Sequence, residues 1–147
     1  MTEMARLIYG IPQKKQKKEI LKTVTFGKHL TIDAYDCDKK ALDDMELCFR
    51  ILEELPKKIE MHPITTPYVV RFAGNDKKDC GGLSGFVMIA ESHISLHTFP
   101  VKGYLTMDVY SCTMFNERIA LRHIKEIFRY KTLEKRVIKR GLKFPRK

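Results

Sequence analysis

Two apolar, strand-like runs meet at Glu91-Ser92-His93 within the stretch Ser84-Gly-Phe-Val-Met-Ile-Ala-Glu91-Ser92-His-Ile-Ser-Leu-His97-Thr-Phe-Pro100. No other feature constrains the chain as much. Both neighbours are written for burial, yet the link between them is an acid, a hydroxyl and an imidazole, with no Gly, Asn or Pro to ease a turn. Side chains of an extended strand alternate between faces, so Ile94 and Leu96 share one face while His93, Ser95 and His97 share the other. One face is core, the other carries chemistry, and the juncture reads as a site.

At 147 residues the chain can bury a core as one domain without disulfides or a structural metal. Its net charge of +10 is uneven: Gly10–Lys28 holds six Lys against one Glu, Arg129–Lys147 holds nine Lys/Arg against one Glu, and the rest is −3. Basic flanks around a mildly acidic centre read as solvated surface, so nucleic acid is not the expected partner. Residues 1–28, with Lys14-Lys15-Gln16-Lys17-Lys18, are expected to form a peripheral arm, and 29–147 a single catalytic domain. Cys37, Cys48, Cys80 and Cys112 are too dispersed for a zinc knuckle or a disulfide framework and read as reduced thiols. There is no signal-peptide h-region, and no apolar run approaches the roughly 20 residues that span a bilayer. The expectation is a soluble, cytoplasmic protein without a membrane partner.

Along the chain, His29–Tyr35 alternates as a strand. Asp38 then predicts the cap of one helix in which Leu42, Met45, Phe49, Leu52, Leu55 and Ile59 recur at three- and four-residue spacing. After a turn-rich link from His62 to Pro67, Tyr68–Phe72 reads as a second strand, and Ala73–Gly82 as a polar loop. Ser84–Glu91, His93–Thr98 and Tyr104–Ser111 follow as strands. Asn116 predicts the cap of a second amphipathic helix with Ile119, Ala120, Ile124, Ile127 and Phe128, and Leu133–Lys139 a last strand. The order β-α-β-β-β-α-β favours α+β: a two-layer sandwich, mostly antiparallel, with two helices on one face and the other face left for ligand or a second subunit.

On their own, Ser92, His93, His97 and Cys112 offer a nucleophile, two acid/bases and a thiol on neighbouring strands. Serine is a weak nucleophile that needs a base or a polarised target. No G-x-S-x-G elbow or cysteine-protease signature is present, so hydrolase templates fit badly.

The pattern closely resembles the small, prokaryotic-type S-adenosylmethionine decarboxylases, which are pyruvoyl enzymes. The residues that carry the resemblance are Gly27-Lys28-His29-Leu30, Ser84-Gly85, Ala90-Glu91-Ser92-His93, Leu96-His97-Thr98-Phe99-Pro100, Gly103-Tyr104 and Asp108-Val109-Tyr110-Ser111-Cys112. It implies self-cleavage between Glu91 and Ser92. Ser92 Oγ attacks the Glu91 carbonyl, the acyl group moves from nitrogen to oxygen, and elimination leaves dehydroalanine, which hydrolyses to a pyruvoyl group. The products are a β chain, 1–91, and an α chain starting at the modified position 92. Ser84 and His97 are implied to support processing, and Cys112 to return a proton to the substrate carbon. The pyruvoyl carbonyl is implied to form a Schiff base with S-adenosylmethionine, without pyridoxal phosphate or a metal, yielding the aminopropyl donor for spermidine in a homodimer of cleaved protomers.

One departure concerns the substrate. Where many relatives of that family carry a glutamate that grips the ribose, this chain has Val101, which cannot accept a hydrogen bond. Alternatives are therefore pyruvoyl chemistry on arginine or ornithine, or an unprocessed homologue acting as a binding protein. The adenine-stacking aromatic cannot be selected among Phe26, Phe72 and Phe86 from sequence.

Overall fold

The computed structural model describes residues 25–75 and 78–145; most of the expected basic arm, residues 1–24, lies outside the described residues. Six strands form one sheet in the order β2-β3-β4-β5-β1-β6, and every neighbouring pair is antiparallel. In chain order they are β1 (Gly27–Tyr35), β2 (Tyr68–Phe72), β3 (Gly82–Ile89), β4 (Ser92–Phe99), β5 (Tyr104–Ser111) and β6 (Thr132–Arg140). The helices α1 (Lys39–Leu42), α2 (Met45–Lys58) and α3 (Glu117–Phe128) complete the α+β architecture expected from sequence.

The alternation read from the sequence builds the core. Leu30, Ile32 and Ala34 of β1, Ile94 and Leu96 of β4, and Leu105, Met107 and Val109 of β5 are all buried. They form one cluster with Ile51, Leu52 and Leu55 of α2 and Ala120, Ile124 and Phe128 of α3. Phe128 is 0% exposed. Phe128→Ala is expected to cost about 3–5 kcal/mol, because truncating a buried aromatic loses transfer energy and leaves a cavity; urea titration of the purified protein measures it.

The single helix expected after Asp38 is two. Asp38 caps α1 through Lys40 N–H, 2.9 Å, and Ala41 N–H, 3.3 Å, and Asp44 caps α2 through Glu46 N–H, 2.9 Å, and Leu47 N–H, 3.1 Å. A capping residue takes extended backbone angles, and Asp44 has φ −92°, ψ 107°, so the helix restarts there. The restart rotates the apolar stripe onto Cys48, Ile51, Leu52 and Leu55 and leaves Met45 43% exposed.

Among the described residues, the opposite face of the sheet carries no helix. On it Tyr68, Val70, Phe72, Phe86 and Met88 are exposed apolar residues, beside an aromatic stack in which Tyr104 lies 5.3 Å from Tyr35 and 5.4 Å from Phe99 between ring centroids. Burial and then the hydrogen bond to Asp33 push the Tyr104 phenol up to about 12.

Candidate active site

The break between the two apolar runs sits at Ala90-Glu91, one residue earlier than the sequence suggests. Ile89 pairs with Ser92, so β3 and β4 are joined by a two-residue hairpin whose strands already include Ser92. Two-residue hairpins ordinarily place Gly, Asn or Asp at positive φ inside the turn. Here neither Ala90 nor Glu91 has positive φ, and the unusual angle falls on Ser92, at φ 155°. That region is essentially reserved for glycine and costs about 1–3 kcal/mol for a residue with a side chain.

The carbonyl just before this strained residue is held by a donor. Cys112 N–H donates to Glu91 O at 2.9 Å. Ser92 Oγ lies 3.2 Å from His93 Nδ1, and the His93 ring meets Tyr110 edge-on at 5.7 Å.

Four contacts fix the backbone around Cys112. Ser92 pairs with Ser111, and Ser111 Oγ accepts from Thr113 N–H at 2.9 Å. Lys28, buried, donates to Phe115 O at 2.9 Å and pairs with Glu117, tying β1 to the loop before α3. Gly27 lets that strand approach: a Cβ there would sit 2.7 Å from Ser111 O and 3.3 Å from Cys112 Cα. The Cys112 side chain is exposed, whereas burial pushes the Cys37 and Cys48 thiols up to about 11 and 12.

Ser84 and His97 form a second cluster. They are opposite each other on β3 and β4, and Ser84 Oγ lies 2.9 Å from His97 Nδ1. Both project from the face opposite α2 and α3, as their parity requires. His97 is five positions beyond Ser92, about 16 Å along an extended strand. Within one chain, therefore, Glu91, Ser92 and Cys112 meet at one end of β4, and Ser84 and His97 at the other. Val101 follows in a 3-10 turn, Pro100–Lys102, at the rim of a cleft of about 470 Å³ that also includes Asp43, Arg71 and Phe72. Of the aromatics left open from sequence, Phe72 thus borders this cleft, while Phe26 stacks on Phe144 at 4.1 Å and Phe86 tilts against Tyr68 at 6.0 Å.

His62 was legible only as part of a turn-rich link. Its ring Nδ1 lies 2.6 Å from Glu91 Oε1, and its backbone N–H donates to Glu91 Oε2 at 3.1 Å. Burial raises the Glu91 carboxyl, but the two His62 hydrogen bonds outweigh it and hold the group below the usual carboxylate range. His29, Asp108 and Arg140 form another network: His29 Nε2 is 2.8 Å from Asp108 Oδ1, and Arg140 bonds His29 Nδ1 at 3.0 Å while stacking 4.7 Å over Tyr110. Both networks join residues remote in sequence, and no local pattern announces either.

Comparison with known proteins finds relatives of the chain. A sequence model described as S-adenosylmethionine decarboxylase matches residues 28–141. Relatives named S-adenosylmethionine decarboxylase proenzyme include one from Thermococcus kodakarensis, 37% identical over 80% of this chain and 78% of its own length. Another, from Caldicellulosiruptor saccharolyticus, is 33% identical over 79% of this chain and 89% of its own. Among solved structures, the adenosylmethionine decarboxylase of Aquifex aeolicus superposes with a TM-score of 0.68 at 31% identity, covering 80% of this chain and 92% of that one.

Proposed function

Because the chain belongs to the S-adenosylmethionine decarboxylase family, we propose that it cleaves itself between Glu91 and Ser92 and then decarboxylates S-adenosylmethionine in the cytoplasm, supplying the aminopropyl donor for spermidine. The observation that carries this reading is the juncture itself. A serine strained at φ 155° follows a carbonyl that accepts a hydrogen bond from Cys112 N–H, and a fixed donor on a carbonyl stabilises the oxyanion that forms when a nucleophile adds to it. Ser92 Oγ forms a bond to the Glu91 carbonyl carbon, the Glu91–Ser92 C–N bond breaks, and the freed amine takes the hydroxyl's proton. Loss of the Ser92 Cα proton then expels the Glu91 carboxylate from Cβ and leaves dehydroalanine, which takes up water and loses ammonia to give the pyruvoyl carbonyl.

These residues fit a pyruvoyl group made from Ser92, which supplies an electron sink for the carbanion left by carbon dioxide loss. Cys112 follows the strand that pairs with Ser92, and its exposed thiol supports the reading that it returns a proton to the substrate carbon. The dispersed thiols of Cys37, Cys48 and Cys112 suit a reducing compartment.

Ser84 and His97 complete the site only if a second copy brings them. Two sheets facing each other across a two-fold axis would set the Ser92 end of one β4 over the His97 end of the other, and would cover the exposed Tyr68, Phe72, Phe86 and Met88. The His97→Ala and Ser92→Ala chains should then complement. Refolded together, they are expected to give cleaved chain and activity that neither has alone; a mixture as inactive as its components would place His97 outside the site.

Mass spectrometry of the purified protein tests the main reading. Two fragments divided before position 92, the second without a free amino terminus, are expected, with carbon dioxide released from S-adenosylmethionine. Val101, 66% exposed, is the specific reason to assay arginine and ornithine alongside; release from those alone would reassign the substrate but leave the pyruvoyl chemistry intact.

A further inference from the structure

We infer that His62 is a positioning residue for self-cleavage, a role that rests on the reading of Glu91-Ser92 as the scissile bond. Segment 62–65 runs along the end of β3 where β2 no longer covers it. Ile64 N–H donates to Met88 O at 3.0 Å, Met88 N–H to Thr65 Oγ1 at 3.2 Å, and Ala90 N–H to His62 O at 2.8 Å. The segment is thereby registered against the hairpin. From there His62 grips Glu91 twice more, through backbone N–H at 3.1 Å and ring Nδ1 at 2.6 Å. A carboxylate only accepts, so Nδ1 is the donor in that contact.

The result is a clamp on both residues of the turn. His62 fixes the Ala90 amide and the Glu91 side chain, while Cys112 N–H fixes the Glu91 carbonyl from the other side. The Glu91 side chain is 12% exposed and the His62 side chain 80%. The ring is therefore a lid over an otherwise enclosed acid and contributes little to the core. Just before it, Met61 is 3% exposed and its Sδ receives the buried Ser111 hydroxyl at 3.3 Å. Residues 61 and 62 thus seat the turn against the end of β5, at Ser111, the residue before Cys112.

A strained hairpin can relax either by scission or by swinging the turn. Gripping Glu91 at its side chain and its carbonyl removes the second route, so the Ser92 hydroxyl and the carbonyl carbon stay at attacking geometry. Both His62 and Glu91 belong to the fragment ending at residue 91, so the clamp survives the cut and affects the making of the catalytic group more than its use.

The test is the time course of cleavage of freshly refolded, full-length chains carrying His62→Ala, His62→Asn or Glu91→Gln, followed by mass spectrometry. Small displacements of reacting groups cost up to about a hundredfold, so His62→Ala is expected to slow scission by about tenfold to a hundredfold. His62→Asn keeps an N–H at the position of Nδ1 and should recover most of the rate, and Glu91→Gln should fall between. Turnover per cleaved chain should stay within about twofold of the parent in His62→Ala and His62→Asn, because His62 lies outside the decarboxylation chemistry. Hydroxylamine, which cleaves esters, should not accelerate the slow variant if acyl transfer is the impaired step. Cleavage of His62→Ala at the parental rate, failure of His62→Asn to recover, or strong acceleration by hydroxylamine would each overturn the role. A parent chain that never cleaves would instead overturn the reading beneath it.

Discussion

Ser92→Ala is expected to leave a single uncut chain of 17.2 kDa with no decarboxylase activity. The substitution removes the only oxygen that can take the acyl group at this bond, and with it the source of the carbonyl. It leaves the hydrogen bond from Cys112 N–H to Glu91 O and the pairing of Ser92 with Ile89 and Ser111, since these depend on the backbone. The variant should therefore fold as the parent does. A companion substitution, Ser92→Gly, separates strain from chemistry. It too cannot cleave, but glycine tolerates φ 155°. Relief of about 1–3 kcal/mol set against about 0.5–1 kcal/mol of added chain entropy leaves Ser92→Gly more stable than Ser92→Ala by roughly 1 kcal/mol. Denaturant midpoints of the two uncut proteins measure the difference, and a Ser92→Gly protein less stable than Ser92→Ala by about 0.5–1 kcal/mol would mean that the angle at Ser92 stores nothing.

Cys112→Ala is expected to uncouple the two reactions of the site. The scissile carbonyl is held by the backbone N–H of residue 112, which alanine retains, so scission should proceed at close to the parental rate. Turnover should not. A positioned acid is worth about a hundredfold to ten-thousandfold, and the decarboxylation rate per cleaved chain should fall within that range. The surviving reaction should also go wrong more often. Without a thiol at the substrate carbon, a proton delivered to the cofactor carbon hands over the amino group, leaving a chain that begins with alanine and an aldehyde in place of the product amine. N-terminal sequencing after exposure to substrate would read that alanine, and the parent should yield far less of it. Loss of cleavage together with turnover would show instead that the side chain is needed to form the group.

Much of the fold was open to reading because its sheet is built from strands with one buried face. Leu30, Ile32 and Ala34, or Ile94 and Leu96, state their register by alternation alone, and His93 and His97 had to face the other way. The restart at Asp44 was hidden because an aspartate inside a periodic stretch looks like a solvated helix residue until its side chain is seen capping Glu46 and Leu47. The site divided similarly. Ser92 begins β4 and Cys112 directly follows β5, strands whose pairing follows from the order of elements, and their motif was conspicuous. The hydrogen bonds of His62 to Glu91 were not, since they depend on how a link without regular structure settles beside β3. That Ser84 and His97 stand about 16 Å from Ser92 is a matter of counting along β4, and it turns an apparently single cluster into two halves.

The order of strands bears on what the cut leaves behind. A break after Glu91 assigns β1, β2 and β3 to one fragment and β4, β5 and β6 to the other, yet in the sheet β1 lies between β5 and β6. Neither fragment owns a continuous block of sheet. The first holds one edge and reaches back into the territory of the second, which is itself split around the inserted strand. Parting the two pieces would require unzipping β3 from β4 and withdrawing β1 from both of its neighbours, exposing Leu30, Ile32 and Ala34. A molecule nicked there would thus be interlaced, its covalent chain altered at one point while the architecture around it continued as though the backbone were whole.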